Sequence, residues 1–144
     1  MKSLPIFVTI IFLSILVSFL ASCKESSSSE TTAEGETKSP HKAAVMIEPE
    51  EFEKGMKKNR AFLLDVRQPQ EFEQGHIEGA VNINFFDPTF KSQLLGLPKG
   101  KDFYLYCKND TRSQRAAEFM MYNDYPDVYV LKGGYEAWKA AGKN

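Results

Sequence analysis

Phe103-Tyr104-Leu105-Tyr106-Cys107-Lys108-Asn109-Asp110-Thr111-Arg112 is the stretch that decides the fold. Phe103 to Tyr106 reads as a buried strand, and Gln114 to Met121 as a helix. Cys107 therefore stands at a strand-to-helix turn, where backbone N–H groups and the positive end of a helix dipole converge. That setting favours thiolate over thiol and can hold an anion. A free cysteine titrates near ~8.5, and such sites lower the value to about 3.5–7.5. Most isolated cysteines are small buried hydrophobes without chemistry; the turn around Cys107 argues for a nucleophile instead.

Working outward, apolar strands alternate with helices. Val45-Met46-Ile47 reads as a strand and Pro49 to Met56 as a helix, with Pro49 and the acidic Glu50 and Glu51 in its first turn. Ala61 to Val66 is a buried strand, Gln70 to Gln74 a short helix stopped by Gly75, and Ala80 to Ile83 a further strand. Residues 87–97 suggest a short helix with loops. Helix 113–122, strand 127–131 and a last helix from Tyr135 to Ala141 complete the chain. No hairpin turn joins successive strands, so an α/β fold is expected, with a mostly parallel central sheet of about five strands and helices on both faces. About 100 residues make one core and one domain, 44–144.

The remainder is of another kind. Met1-Lys2, the apolar run Leu4 to Leu20 and the small residues Ala21-Ser22 before Cys23 read as an export signal over 1–22. A single membrane-spanning helix is the competing reading, since ~17 residues is the lower limit for a span. Leu20-Ala21-Ser22-Cys23 resembles the lipobox of bacterial lipoproteins, which implies cleavage before Cys23, lipidation of that residue, and a protein of the cell envelope anchored to a bacterial membrane. Residues 23–43, rich in Ser, Thr and Glu, cannot bury enough surface to offset their conformational entropy and read as a disordered tether. As a flexible coil it would hold the domain on the order of 25 Å from the lipid.

Charge excludes one class of partner. Lys and Arg number 18 against 19 Asp and Glu, a formal charge of −1 that becomes about −2 once Lys2 leaves with the leader. Nothing here resembles a basic surface for nucleic acid. With Cys23 lipidated, Cys107 is the one thiol left, so no internal disulfide forms. No His/Cys group has metal-ligand spacing and no cofactor is expected. A small domain of this composition is expected to be a monomer.

Three segments together resemble the single-domain rhodaneses, the thiosulfate sulfurtransferase-like domains. The first is Leu64-Asp65-Val66-Arg67 with Glu71-Phe72 and Gly75-His76-Ile77-Glu78-Gly79-Ala80-Val81-Asn82-Ile83. The second is Tyr106-Cys107 through Arg112-Ser113, and the third Val130-Leu131-Lys132-Gly133-Gly134 with Trp138. The resemblance implies a sulfurtransferase in which Cys107 takes the outer sulfur of a small anionic donor such as thiosulfate, becomes a persulfide, and passes the sulfur to a thiol or cyanide acceptor. Lys108, Asn109, Asp110, Thr111 and Arg112 would form the substrate-binding loop, their N–H groups encircling the sulfur as a nest. Related phosphatases place five residues between cysteine and arginine; here four intervene, as in the sulfur-transfer branch.

Supporting roles are expected for Asp65, orienting loop backbone, and for Arg67, in a surface ion pair with Glu71. Thr111 and Gln114 have the spacing of a capping box. His76 is expected to make a structural hydrogen bond, and Gly133-Gly134 a tight turn. One departure stands out: Asp110 occupies a position where family loops of this length commonly carry glycine, and Asp tolerates positive φ less well. It keeps a second reading open, a non-catalytic, sulfur-carrier or redox-sensing rhodanese-like domain.

Overall fold

A computed structural model of the chain describes residues 44–144. The leader, Cys23 and tether readings fall outside them. The strands are β1 (Val45–Ile47), β2 (Ala61–Asp65), β3 (Val81–Asn82), β4 (Asp102–Tyr106) and β5 (Asp127–Leu131). The helices are α1 (Pro49–Met56), α2 (Pro69–Glu73), α3 (Phe90–Leu95), α4 (Thr111–Tyr122) and α5 (Gly134–Ala140). The strands form one five-stranded sheet in the order β1-β5-β4-β2-β3, and every pairing is parallel.

Side-chain alternation along the central strands builds two cores. Leu64, Val66, Phe103, Leu105, Cys107, Val128 and Val130 point to the face covered by α4 and α3. Leu63, Tyr104, Tyr106 and Leu131 point to the other, where Phe52 of α1 and Trp138 of α5 meet them. Helix α4 buries Ser113, Ala116, Ala117, Met120 and Met121, the one-sided stripe that a 3.6-residue period produces. Apolar residues on both faces are what a covered parallel sheet requires.

Boundaries shift where local bonding decides them. The strand expected over 80–83 is only Val81–Asn82, because the Asn82 amide turns to donate to the carbonyls of Asp65 and Arg67, both at 3.0 Å. Helix α4 begins at Thr111, earlier than the expected 113, once Asp110 accepts the N–H of Gln114 at 2.9 Å.

Connectivity puts the functional ends together. The chain leaves β2 toward the β3 edge and returns to β4 on the opposite side of β2, so the order reverses between β2 and β4. Ligands of open α/β sheets bind outside the carboxyl ends of strands at such a reversal. Registered from Ala61↔Asp102 to Asp65↔Tyr106, the two strands end level, and Asp65-Val66-Arg67 lies beside Tyr106-Cys107.

Candidate functional site

Cys107 leaves β4 on the α4 side of the sheet and is fully covered. The Ser113 hydroxyl, one turn into α4, lies 3.6 Å from its Sγ and donates to the carbonyl of Asp110 at 2.9 Å. Among the described residues, no acceptor pairs with the backbone N–H groups of Lys108, Asn109, Asp110, Thr111, Arg112 or Ser113. Unpaired donors in succession around a thiol make an anion-binding concavity.

The carbonyls of this loop are turned away and held. Tyr135 N–H donates to the Cys107 carbonyl at 2.8 Å, and Glu136 N–H to that of Lys108 at 3.1 Å. Gly134 permits this approach. Its φ is +62°, and a Cβ there would lie 2.6 Å from the Cys107 and Lys108 carbonyl oxygens and 2.7 Å from the Asn109 nitrogen. Docking the start of α5 on the loop thus fixes the peptide planes that follow Cys107 and Lys108.

Asp110 adopts the left-handed conformation, φ 77°, that its place in the loop demands. Its Oδ2 accepts the Gly133 N–H at 2.9 Å and its Oδ1 the Gln114 side-chain amide at 3.0 Å. The capping box expected between Thr111 and Gln114 does not form, because Thr111 is already helical and Gln114 serves Asp110. Thr111 is exposed, as are Lys108 and Asn109.

Arg67 does not pair with Glu71 on the surface. It is buried, and its guanidinium grips Asp65 through Nε at 3.0 and 2.8 Å and Nη2 at 2.6 Å. Nη2 also donates to the Gly75 carbonyl at 2.8 Å, and the group lies over the Tyr135 ring at 4.2 Å. Burial works to lower the Arg67 pKa, but Asp65 outweighs it and holds the guanidinium above its ordinary value. Tyr106 shares the cluster: its hydroxyl accepts the Ile77 N–H at 3.0 Å, and desolvation with Asp65 nearby pushes the phenol pKa up. A buried charged pair thus ties β2, the α2 exit and the residue before Cys107 into one block.

Glu71 instead meets Arg112. Its Oε2 accepts from Nη1 at 2.7 Å and its Oε1 from Nη2 at 3.0 Å, while Oε2 also takes the Gln68 N–H at 3.0 Å. The hydrogen bonds to Arg112 hold the Glu71 carboxyl at about 2, and those bonds, with the nearby Cys107, raise the Arg112 pKa. Lys108 faces Glu136 at 3.6 Å on the exposed rim. A recess of about 210 Å³ opens beside the loop, lined by Arg67, Glu71, Lys108, Tyr135, Glu136 and Lys139 among others. His76 donates from Nδ1 to the Phe72 carbonyl at 3.1 Å, stacks on the Phe72 ring and is exposed, a structural arrangement. Ser113 and Tyr106 join the site without having been marked by the sequence pattern. Ser113 carried a signal in its place one residue after Arg112, inside the helix's first turn.

Fold and site together define a small parallel α/β domain that carries one thiol in an amide-lined cradle at the sheet's switch point. The Rhodanese-like domain family matches residues 48–141, and the chain belongs to it. YqhL of Bacillus subtilis, an uncharacterized protein, is 45% identical over 89 residues, covering 62% of this chain and 68% of that one. The tRNA uridine(34) hydroxylase of Buchnera aphidicola from Acyrthosiphon pisum (strain APS) is 28% identical over 101 residues, 66% of this chain but only 31% of the hydroxylase. The crystal structure of a rhodanese-related protein from Thermoplasma volcanium superposes with a TM-score of 0.62 at 26% identity, covering 69% of this chain and 95% of that one. The likeness is one of fold: the five-stranded, all-parallel sheet of this chain with its helices is rhodanese-like.

Proposed function

We propose that the domain is a sulfurtransferase that moves sulfane sulfur through a Cys107 persulfide. The observation that carries this reading is the run of N–H groups from Lys108 to Ser113, directly after Cys107, that have no hydrogen-bond acceptor among the described residues. Those donors stabilise a thiolate, a persulfide anion and a departing anion alike, and preorganised donors of this kind act on charge as it develops. The Cys107 thiolate attacks the outer sulfur of the donor, and the bond between outer and inner sulfur breaks. With thiosulfate the leaving group is sulfite. A thiol or cyanide acceptor then attacks the outer sulfur of the persulfide and regenerates the thiolate. Cys107 is fully covered, so a donor reaches the sulfur only when a side chain at the rim of the loop moves aside.

The leader resemblance supports a further proposal, that the chain is exported, lipidated on Cys23 and held at a bacterial membrane by that anchor. Among the described residues no helix is long and apolar enough to cross a membrane. Labelling with a palmitate analogue in cells, beside Cys23→Ser, tests it: label on the native chain alone is expected, and label on neither chain would overturn it.

Sulfur transfer is tested by intact mass of the soluble domain, residues 24–144, after exposure to donor, followed by thiocyanate formation from thiosulfate and cyanide. One added sulfur atom on the native protein, absent in Cys107→Ser, is the expected result. Loaded sulfur without repeated turnover would mark a carrier, and sulfenic acid or mixed disulfide in its place would mark a sensor.

A further inference from the structure

The charges around Cys107 are balanced. Arg67 is held by Asp65 at 2.6 Å, Arg112 by Glu71 at 2.7 Å, and Lys108 faces Glu136 at 3.6 Å. Asp110 adds a carboxylate to the loop itself. Lys139 lines the recess beside the loop, and among the described residues no ion pair is formed by it. The amides of the loop can stabilise one developing anion, but Arg67, Lys108 and Arg112 beside them each already face a carboxylate. A dianion entering this site must separate Arg112 from Glu71 or bring its second charge against carboxylates.

We propose that the site selects a sulfur donor of low net charge, an alkyl persulfide in preference to the thiosulfate dianion, and that Glu71 sets this preference by occupying Arg112. The inference rests on the sulfurtransferase reading above and names the donor class for it. The Cys107 thiolate bonds to the outer sulfur of R–S–SH, the S–S bond breaks toward the inner sulfur, and R–S⁻ leaves and takes a proton from water. Cys107 keeps S–SH. The sulfane sulfur carries its own oxidation level, so no separate oxidant or reductant enters. Glu71 is a specificity-determining residue here: it touches Arg112, not the reacting atoms. Its second contact, the Gln68 N–H at the start of α2, anchors the carboxylate so that it cannot swing aside freely.

The test compares two donors on the soluble domain: thiosulfate, and the persulfide of N-acetylcysteine methyl ester, which carries at most one negative charge. Sulfur loading of Cys107 is followed by intact mass and turnover by steady-state kinetics. The native domain is expected to show kcat/KM for the persulfide about tenfold or more above that for thiosulfate, the discrimination a site gains when the wrong ligand leaves charges unpaired. Glu71→Gln is expected to lower KM for thiosulfate about fivefold while moving KM for the persulfide less than about twofold, the scale of one partly exposed ion pair. A residue that merely held the fold would shift both donors alike. Glu136→Gln, on the exposed rim, is expected to shift thiosulfate in the same direction by less, and it keeps the test open should Glu71→Gln fold poorly. Equal or better use of thiosulfate by the native domain, or an unchanged or higher thiosulfate KM in both variants, overturns the donor preference alone. Sulfur loading from neither donor overturns the sulfurtransferase reading, and this inference with it.

Discussion

The Oδ2 atom of Asp110 accepts the N–H of Gly133 at 2.9 Å, joining the cysteine loop to the β5–α5 turn across 23 residues. The same carboxylate holds the Gln114 amide. A residue that looked like a defect in an anion loop is thereby a strut of it, with both oxygens engaged by neutral donors.

Two opposing terms meet at Asp110. Relief of a left-handed L-residue is worth roughly 1–2 kcal/mol, and each lost hydrogen bond costs about 0.5–1.5 kcal/mol. Asp110→Gly is therefore expected to change stability by less than about 1 kcal/mol, whereas Asp110→Ala keeps the strain, loses both bonds and destabilises by about 1–3 kcal/mol. Urea denaturation of the two variants checks the ordering; an equal loss in both would show the bonds carry nothing.

Gly134→Ala drives a methyl group into the backbone of Cys107, Lys108 and Asn109, which has no flexible end to yield. The expected result is loss of the Tyr135–Cys107 contact, a destabilisation of about 2 kcal/mol or more and at least tenfold slower sulfur loading. A variant loading at the native rate would mean the α5 start does not orient the loop.

Breaking the Asp65–Arg67 pair leaves a charge buried without its partner. Asp65→Ala is expected to cost about 3–5 kcal/mol, and Asp65→Leu with Arg67→Met much less than the sum of the single changes. Thermal melting of the singles and the double provides the cycle.

Acid should expose the Glu71–Arg112 bond. The Glu71 carboxyl is held at about 2 against an ordinary 4.5, chiefly by hydrogen bonds from Arg112. A depressed carboxyl contributes stability that is complete above its unfolded value and is lost as pH falls toward the folded one. Stability should thus decline between pH 4.5 and about 2, and Glu71→Gln should flatten that decline. Glu53, also held at about 2 by Lys143 and Lys57, titrates in the same window in both proteins, so the difference between the curves isolates Glu71.

The order of elements and the position of the thiol were legible because both are local. Short apolar runs in Ala61–Asp65, Asp102–Tyr106 and Asp127–Leu131, with helices between, leave few alternatives to a covered parallel sheet, and the sheet has that form. Cys107 at a strand end, with four residues between it and Arg112, is placed by local sequence without any distant contact. Boundaries slipped at Asn82 and Thr111, where a side chain or a cap overrode the pattern.

The pairing of charges was decided only in the folded chain. Arg67 has Glu71 within one turn in sequence, yet it takes Asp65, because both are buried together behind Tyr106 and a desolvated guanidinium requires a desolvated carboxylate. Glu71 is then free to cross 41 residues to Arg112. Long side chains reach many partners, and which one they keep depends on burial and on segments brought close by strand order. Sequence alone determined that a thiol would sit in a loop between β4 and α4; the balance of charge around it arose from the way β2, α2 and α5 close upon it.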